Sequence, residues 1–145
     1  MSIVSRSALV SHSAQQMFEL VSEIESYPKF LPWCDKARVS ERGRNRTVAT
    51  LRINFRGLKQ EFTTENDDQP NERIDMKLVS GPFRSLEGSW RFTPLSETTC
   101  KIELNLRYEF ASALLGKVVA AVFDEIANSL VDAFARQADL RFGPV

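Results

Sequence analysis

The sequence predicts an α+β fold in which a curved antiparallel sheet wraps around one long C-terminal helix. Three observations lead to this prediction. Runs of alternating apolar and polar residues fill the region 49–110, short turn signals separate these runs, and an apolar stripe at helical spacing follows residue 112. Short links between strands favour antiparallel pairing. The order of elements is one strand, one helix, several strands and a terminal helix, written β-α-(β)n-α.

The first strand and the first helix come at the start of the chain. Residues 3–10 form a short run with apolar positions, and a polar triplet that suits a turn follows them. Ser13 and Gln16 have the spacing of a capping box, after which apolar residues recur at helical spacing. We expect this helix to end at Tyr27, because the residue before Pro28 is disfavoured in helical conformation.

The strands are identified by alternation. The clearest run is 100–110, in which apolar side chains alternate without a break against polar and charged ones, as in a half-buried strand. Asp67 and Asp68 are interpreted as part of a turn, where acidic residues are common. The predicted turns lie at residues 42–45, 56–57, 66–71, 80–82 and 94–97.

A long helix is predicted from Ser112, a suitable N-cap residue, to about Phe142, just before Gly143 and Pro144. With a rise of about 1.5 Å per residue it would be roughly 45 Å long, longer than any single strand. A sheet must curl to cover such a helix. The apolar stripe that would face the sheet consists of Leu115, Val118, Val119, Val122, Phe123, Ile126, Leu130, Ala133 and Phe134.

Length and composition limit the class of protein. A chain of 145 residues with 43% apolar residues predicts a single domain, residues 1–145, that buries a core without disulfide or metal support. No segment resembles a signal peptide or a run of about eighteen apolar residues, so a soluble, cytoplasmic protein is expected. One histidine and two cysteines are too few for a metal site, and Cys34 and Cys100 are interpreted as buried thiols.

The charges balance over the whole chain but not locally. Basic and acidic residues number 19 each, so no overall field draws the molecule to DNA or to anionic lipid. Residues 36–59 contain eight basic side chains and one acid, whereas residues 61–75 are acidic. Ion pairs across adjacent antiparallel strands are the favoured interpretation. The alternative is a docking surface for phosphate groups, formed by Arg42, Arg44, Arg46, Arg52 and Arg56.

The sequence contains no recognisable catalytic constellation. His12, the only histidine, lies between two serines and is interpreted as a solvated turn residue. No GxSxG elbow, glycine-rich phosphate loop or paired-carboxylate motif accompanies it. We therefore predict that the protein is not an enzyme.

The segment 27–34, YPKFLPWC, resembles the YPxFLPWC signature of the coenzyme Q-binding, polyketide-cyclase-like proteins of the START-like superfamily, which include the ribosome association toxin branch. Further matches follow in the same order along the chain. Each match alone is weak, but by the number, order and spacing of the matches the chain is identified as a member of this family over its whole length. The matches are SRSALV at 5–10, FTT at 62–64, GPF at 81–83, LEGSWRF at 86–92 and AF at 133–134.

The resemblance implies a helix-grip fold, in which the sheet and the long helix enclose an elongated apolar cavity. The coenzyme Q-binding members imply ubiquinone or another polyprenyl lipid as a ligand that is bound but not reacted, with no required cofactor. The chain would then be a carrier that supports respiration and makes transient contact with the inner membrane. The toxin branch implies the alternative, an interaction protein that binds the large ribosomal subunit and blocks subunit association. Aromatase or cyclase activity is implied only by the superfamily name, because no catalytic site geometry is recognisable.

The expected ligand contacts combine one loop with the inner faces of the sheet and the helix. The loop 30–33 is apolar and lies beside prolines that restrict its backbone, so it is either a lid over the core or a gate at the cavity mouth. We favour the gate, which would leave Trp33 partly exposed. The expected contacts are Phe30, Leu31, Pro32, Trp33, Phe83, Trp90, Phe92, Leu104 and Leu106, with Val122, Phe123, Ile126 and Leu130 on the helix.

Overall fold

A computed structural model describes residues 2–55 and 57–143, without the side chains of residues 114–116 and 118. Its element order is the predicted β-α-(β)n-α, so the α+β prediction is confirmed. The elements are β1 (Ser2–Val10), α1 (Ala14–Ser22), a 3-10 helix (Ile24–Lys29), β2 (Cys34–Gly43), β3 (Arg46–Phe55), β4 (Leu58–Gln69), β5 (Arg73–Ser80), β6 (Phe83–Pro94), β7 (Cys100–Phe110) and α2 (Ala113–Phe142).

The seven strands form one antiparallel sheet in the order β1-β7-β6-β5-β4-β3-β2. Every strand from β2 to β7 pairs with its neighbour in sequence, and β1 closes the far side by pairing with β7. Register shifts interrupt β2 between Cys34 and Lys36 and between Val39 and Glu41. Irregularities of this kind bend a strand and increase its twist. The sheet can therefore curl, and β1 and β2 are its two edges.

Gly88 of β6 shows how closely the backbones of β6 and β7 approach each other. A Cβ atom at this position would lie 2.4 Å from Leu106 Cδ2 and 2.5 Å from the Asn105 carbonyl oxygen. Any larger residue would clash with the neighbouring strand, which explains a glycine inside a strand.

The turn predicted at residues 66–71 lies further along the chain than expected. Strand β4 continues through Asp67 and Asp68, which pair with Asp75 and Ile74 of β5. The Thr47 hydroxyl donates a hydrogen bond of 2.7 Å to the Asp68 carboxylate. Because this pairing satisfies the polar groups within the ladder, the interpretation of the two aspartates as turn residues is wrong.

The first helix is capped as predicted but ends earlier. Ser13 accepts from the backbone N–H of Gln16, and the Gln16 side chain accepts in return from the Ser13 N–H, which completes the capping box. The α-helix stops at Ser22, and a 3-10 helix that contains Pro28 follows it. The predicted single helix is therefore two short ones. Both pack their apolar residues into the core, among them Met17, Leu20, Val21, Ile24 and Tyr27.

Helix α2 packs its apolar stripe against the concave face of the sheet. Complete burial of one large apolar side chain contributes about 1.5–3 kcal/mol, so this contact is a major part of the core. Among the described helices, none is both long enough and apolar enough to cross a membrane. Leu115 and Val118 of the predicted stripe have no described side chains. Among the α2 side chains that the structure describes, the buried ones are Val119, Phe123, Ile126, Ala127, Val131, Phe134 and Ala138.

His12 is buried, which contradicts its interpretation as a solvated turn residue. The residue is 3% exposed, and its Nε2 atom lies 2.7 Å from Asp139 Oδ1 near the end of α2. Its ring also contacts that of Phe142 at a centroid distance of 5.8 Å. The turn after β1 is polar in sequence, but the end of the long helix returns to cover it. The contact between His12 and Asp139 therefore joins the turn after β1 to the C-terminal part of α2.

The loop after the 3-10 helix is closed over the core. Trp33 is 6% exposed and Leu31 is 1% exposed, whereas Pro32 faces solvent. The backbone N–H of Asn54 donates a 2.7 Å hydrogen bond to the Trp33 carbonyl, which attaches the loop to β3. The expectation that Trp33 is partly exposed, as a gate requires, is therefore wrong. The burial fits the lid interpretation.

Trp33→Ala is expected to lower the free energy of unfolding by about 3–5 kcal/mol, because the lost side chain leaves a cavity in the core. Pro32→Ala, at the adjacent exposed position, is the matched control and should cost no more than about 1 kcal/mol. Denaturant midpoints of both variants measure the difference. Equal stability of the two variants would contradict the lid interpretation.

Candidate functional site: an apolar cavity and a basic sheet edge

A cavity of about 90 Å³ lies between α2 and the concave face of the sheet. Strands β3 to β7, α2 and the lid loop all contribute to its wall, so the site exists only when the sheet curls over the helix. Most of the wall is apolar. The lining residues are Ile24, Tyr27, Trp33, Ala49, Leu51, Ile53, Phe62, Thr64, Asn66, Met76, Leu86, Trp90, Leu104, Leu106, Phe123, Ile126, Ala127, Leu130 and Phe134.

Aromatic side chains keep this cavity small. The Phe123 ring packs edge-on against Tyr108 at 4.6 Å and against Phe83 at 5.1 Å between ring centroids. Phe134 packs in the same way against Trp90 at 5.2 Å. A cavity of about 150 Å³ is known to hold one benzene molecule. A ligand with a substituted ring and a long tail would therefore require the sheet and α2 to separate further.

The structure brings seven of the thirteen expected contact residues to the cavity wall. Trp90 of β6 and Leu104 of β7 are register partners, and Leu106 is the next inward position of β7. All three side chains therefore lie on the same part of the cavity wall. The remaining four of the seven are Trp33 of the lid loop and Phe123, Ile126 and Leu130 of α2.

The other six expected residues lie behind or beside this wall. Phe83 packs edge-on against Phe123 at 5.1 Å between ring centroids, and Phe92 stacks on Trp90 at 6.4 Å. Phe30 contacts the Phe134 ring at 5.3 Å, and Pro32 is exposed. The remaining two, Leu31 and Val122, pack in or against the apolar core.

Sequence analysis did not identify the polar residues on the inner face of β3 and β4. Thr47, Thr64 and Asn66 are buried, and Asp68 is half-buried, although this face is otherwise apolar. Burial raises the pKa of the Asp68 carboxyl group. The sequence did contain a signal for this polar region. Alternate residues of a strand share one face, and the side chains at positions 62, 64, 66 and 68 change from apolar to polar along the strand.

The tyrosine in the cavity wall is not a free acid or base. The Tyr27 hydroxyl donates a hydrogen bond to the Val21 carbonyl, and burial raises its pKa. Within residues 2–55 and 57–143, no three His, Cys, Asp or Glu side chains are grouped as metal ligands would be. Apart from a few polar groups, the wall presents apolar surface to the interior of the cavity.

Three of the five arginines of the predicted phosphate surface are already paired with acids. Arg52 makes two hydrogen bonds, of 2.6 and 2.9 Å, to the Asp35 carboxylate, and this bonding lowers the pKa of Asp35 to about 2. Arg46 pairs with Glu65 across β3 and β4 at 2.6 Å. Arg42 pairs with Glu25 at 2.8 Å. The favoured interpretation, ion pairs across adjacent strands, is confirmed for Arg46 and Arg52, whereas the partner of Arg42 lies on the 3-10 helix.

Three other cations of the same stretch, Lys36, Arg38 and Arg44, make no ion pair with an acid among the described residues. Lys36 and Arg38 lie on edge strand β2, opposite Arg52 and Thr50 of β3, and both are exposed. Arg44 is exposed in the turn between the two strands, whereas Arg56 lies outside the described residues. We refer to Lys36, Arg38 and Arg44 as the edge cations. They are more available to an anionic partner than most of the arginines that sequence analysis selected.

Comparisons with known proteins agree with this architecture. Residues 10–135 match the family described as polyketide cyclase / dehydrase and lipid transport. The ribosome association toxin RatA of Vibrio cholerae is 44% identical over 97% of this chain and 97% of its own length. The mitochondrial coenzyme Q-binding protein COQ10 homolog B of Xenopus laevis is 30% identical over 96% of this chain and 59% of its own length.

Among solved structures, the Zhui aromatase/cyclase from Streptomyces sp. R1128 matches with a TM-score of 0.84 and 18% identity, over 97% of this chain and 95% of that chain. At this identity the match shows the fold alone, and it confirms the predicted helix-grip architecture. The family match and the curated relatives cover nearly the whole chain. The chain therefore belongs to the family described as polyketide cyclase / dehydrase and lipid transport, together with the ribosome association toxins.

Proposed function

We propose that this chain is an interaction protein that binds the large ribosomal subunit and blocks its association with the small subunit. The observation that carries the proposal is the 44% identity to a ribosome association toxin over 97% of both chains. The relative named as a coenzyme Q-binding protein is more distant, at 30% identity. A binding function of this kind requires no catalysis.

The edge cations support this proposal. Ribosomal RNA presents a dense array of phosphates, and exposed Lys and Arg side chains bind them with release of counterions. Lys36 and Arg38 extend from a strand at the edge of the sheet, and Arg44 extends from the adjoining turn. An edge is accessible to a large partner, whereas the concave face is covered by α2.

Replacing Lys36, Arg38 and Arg44 together by Glu is expected to abolish co-sedimentation with purified large subunits. Binding by the unmodified protein should also weaken steeply as salt rises, because each phosphate contact releases counterions. The side chains are exposed, so the free energy of unfolding should change little. Co-sedimentation across a salt series measures both effects.

The control is a triple replacement by Glu of Arg84, Lys117 and Arg136, which are exposed cations outside β2 and β3. This variant changes the net charge by the same amount. It therefore distinguishes the loss of a specific binding surface from general electrostatic repulsion between the protein and ribosomal RNA. Binding that tolerates the edge-cation replacements, or that falls equally in both variants, would contradict the assignment of the surface.

A second candidate function is the binding of a hydrophobic ligand, such as ubiquinone or another polyprenyl lipid, by a carrier that contacts the membrane surface transiently. The apolar cavity between the sheet and α2 favours it, together with the similarity to the coenzyme Q-binding relative. Removal of a long apolar tail from water is strongly favourable. This function would also be non-enzymatic, and the ligand would be cargo rather than a cofactor.

Ile126→Asp is expected to abolish ligand retention, because an unpaired carboxylate in an apolar cavity is heavily disfavoured. Trp90→Ala should weaken retention by removing part of the wall while introducing no charge. Leu140→Asp, on the exposed side of the same helix, is the matched control and should retain the ligand. Mass spectrometry of solvent extracts from protein purified from its native host measures the bound lipid. A normally folded Ile126→Asp protein that still carries lipid would contradict the cavity assignment.

A further inference from the structure

The two edges of the sheet differ in how they are protected against pairing with another strand. Edge strand β2 contains two register shifts and carries Lys36 and Arg38, and both features oppose edge-to-edge pairing. Edge strand β1 pairs with β7 at every position from Ser2 to Val10 without a register shift. Among the described residues, no strand lies on the other side of β1. The backbone groups on that side are therefore arranged to pair with a further strand.

Strand β1 also exposes two large apolar side chains on the outer face of the sheet. Ile3 is 69% exposed and Leu9 is 73% exposed, so most of each side chain is in contact with solvent. Val4 and Val10, on the other face of the strand, are buried in the core. A straight edge strand with exposed apolar side chains is a typical site of association.

The sequence of β1 has the same residue classes when it is read from either end. In an antiparallel pair of two copies, with the two-fold axis at Arg6, residues at equal distances on either side of Arg6 face each other. The facing residues match in size and polarity, and each pair occurs twice in such a dimer. The pairs are Ile3 with Leu9, Val4 with Ala8, and Ser5 with Ser7.

The central residue of β1, Arg6, would face its own copy across the axis, and like charges at directly opposite positions are destabilising. Asp132 of α2 offsets this repulsion, because its carboxylate lies 3.9 Å from the Arg6 guanidinium group. The two side chains are 47% and 65% exposed, so both are accessible to a second copy. Two guanidinium groups and two carboxylates therefore meet at the axis, and their charges balance.

We propose that β1 is an interface for a second copy of this chain, formed by antiparallel pairing of the two β1 strands about a two-fold axis at Arg6. Two seven-stranded sheets then continue into each other. Strand β2 lies at the opposite edge of each sheet, so the dimer leaves the edge cations of both copies accessible. The proposal depends neither on ribosome binding nor on a ligand in the cavity.

Analytical ultracentrifugation of the whole protein over a range of concentrations tests the interface. We expect the mass of two chains at high concentration and a reversible change to one chain on dilution. Replacing Ile3 and Leu9 together by Lys should raise the dissociation constant of the dimer about ten-fold or more, because two apolar pairs become pairs of like charge. The control replaces Val79 and Leu95, two exposed apolar residues outside β1, by Lys and should retain the dimer.

Disulfide formation between copies tests the register. Arg6→Cys should cross-link to its own copy, because directly opposite Cα atoms lie about 4.5–5.5 Å apart, within the range that a disulfide spans. Ser5→Cys alone should not cross-link, because the same residue of the second copy lies on the diagonal, about 7–8 Å away. A mixture of Ser5→Cys and Ser7→Cys proteins should cross-link, since these two positions face each other. The native Cys34 and Cys100 are buried.

Several outcomes would overturn the proposal. A single-chain mass at every concentration excludes the dimer, and a dimer that tolerates the Ile3 and Leu9 replacements uses another surface. Cross-linking of Ser5→Cys alone, or no cross-linking of Arg6→Cys in a sample that contains dimers, excludes this register. The mass of the unmodified protein needs no variant, so it remains decisive if a variant does not fold.

Discussion

The packing of α2 against the concave face of the sheet is the contact on which the rest of the structure depends. Phe123 meets Tyr108 and Phe83 in one aromatic group, and Phe134 meets Trp90 and Tyr27 in another. These contacts hold β6, β7 and the 3-10 helix on the same helix surface. Because α2 is 30 residues long, the sheet has to curl to cover it. The cavity is the space that the aromatic side chains leave unfilled.

The same curvature gives the sheet two surfaces with different properties. The inner surface is mostly apolar, with Thr47, Thr64, Asn66 and Asp68 as polar residues on β3 and β4, and α2 and the lid loop cover it. The outer surface and the edges carry the charged side chains. The β1 edge is partly engaged with α2 through Arg6 and Asp132, which lie 3.9 Å apart, whereas the β2 edge carries Lys36 and Arg38. Positive charge on an edge strand also opposes pairing with other sheets, so these cations act against aggregation as well.

The main features of the fold follow from periodicity. Strict alternation in β7 and the stripe on α2 predicted a sheet that wraps a helix, and both elements have nearly the predicted bounds. Contacts between residues distant in sequence could not be predicted in this way. His12 has the sequence context of a turn residue, but Asp139 and Phe142 cover it only once α2 is in place. The burial of Trp33 likewise depends on how the lid loop meets β3.

The candidate site was predictable to a similar extent. The inward positions of β6, β7 and α2 could be listed from their spacing, but whether a residue lines the cavity or lies behind it depends on the packing of aromatic rings, as Phe83 shows. In the basic stretch, the number of charges was plain from the sequence, but their partners were not. Arg52 is neutralised because β2 places Asp35 beside it, and this requires the register of the sheet.

The central claim, that this protein acts on ribosome association, is tested most directly by sedimentation of purified ribosomal subunits. Small and large subunits are mixed under conditions that favour complete ribosomes, with and without an excess of this protein, and separated on a sucrose gradient. If the protein acts in this way, fewer complete ribosomes form and the protein migrates with the free large subunit. Undiminished assembly with the protein left at the top of the gradient would contradict it.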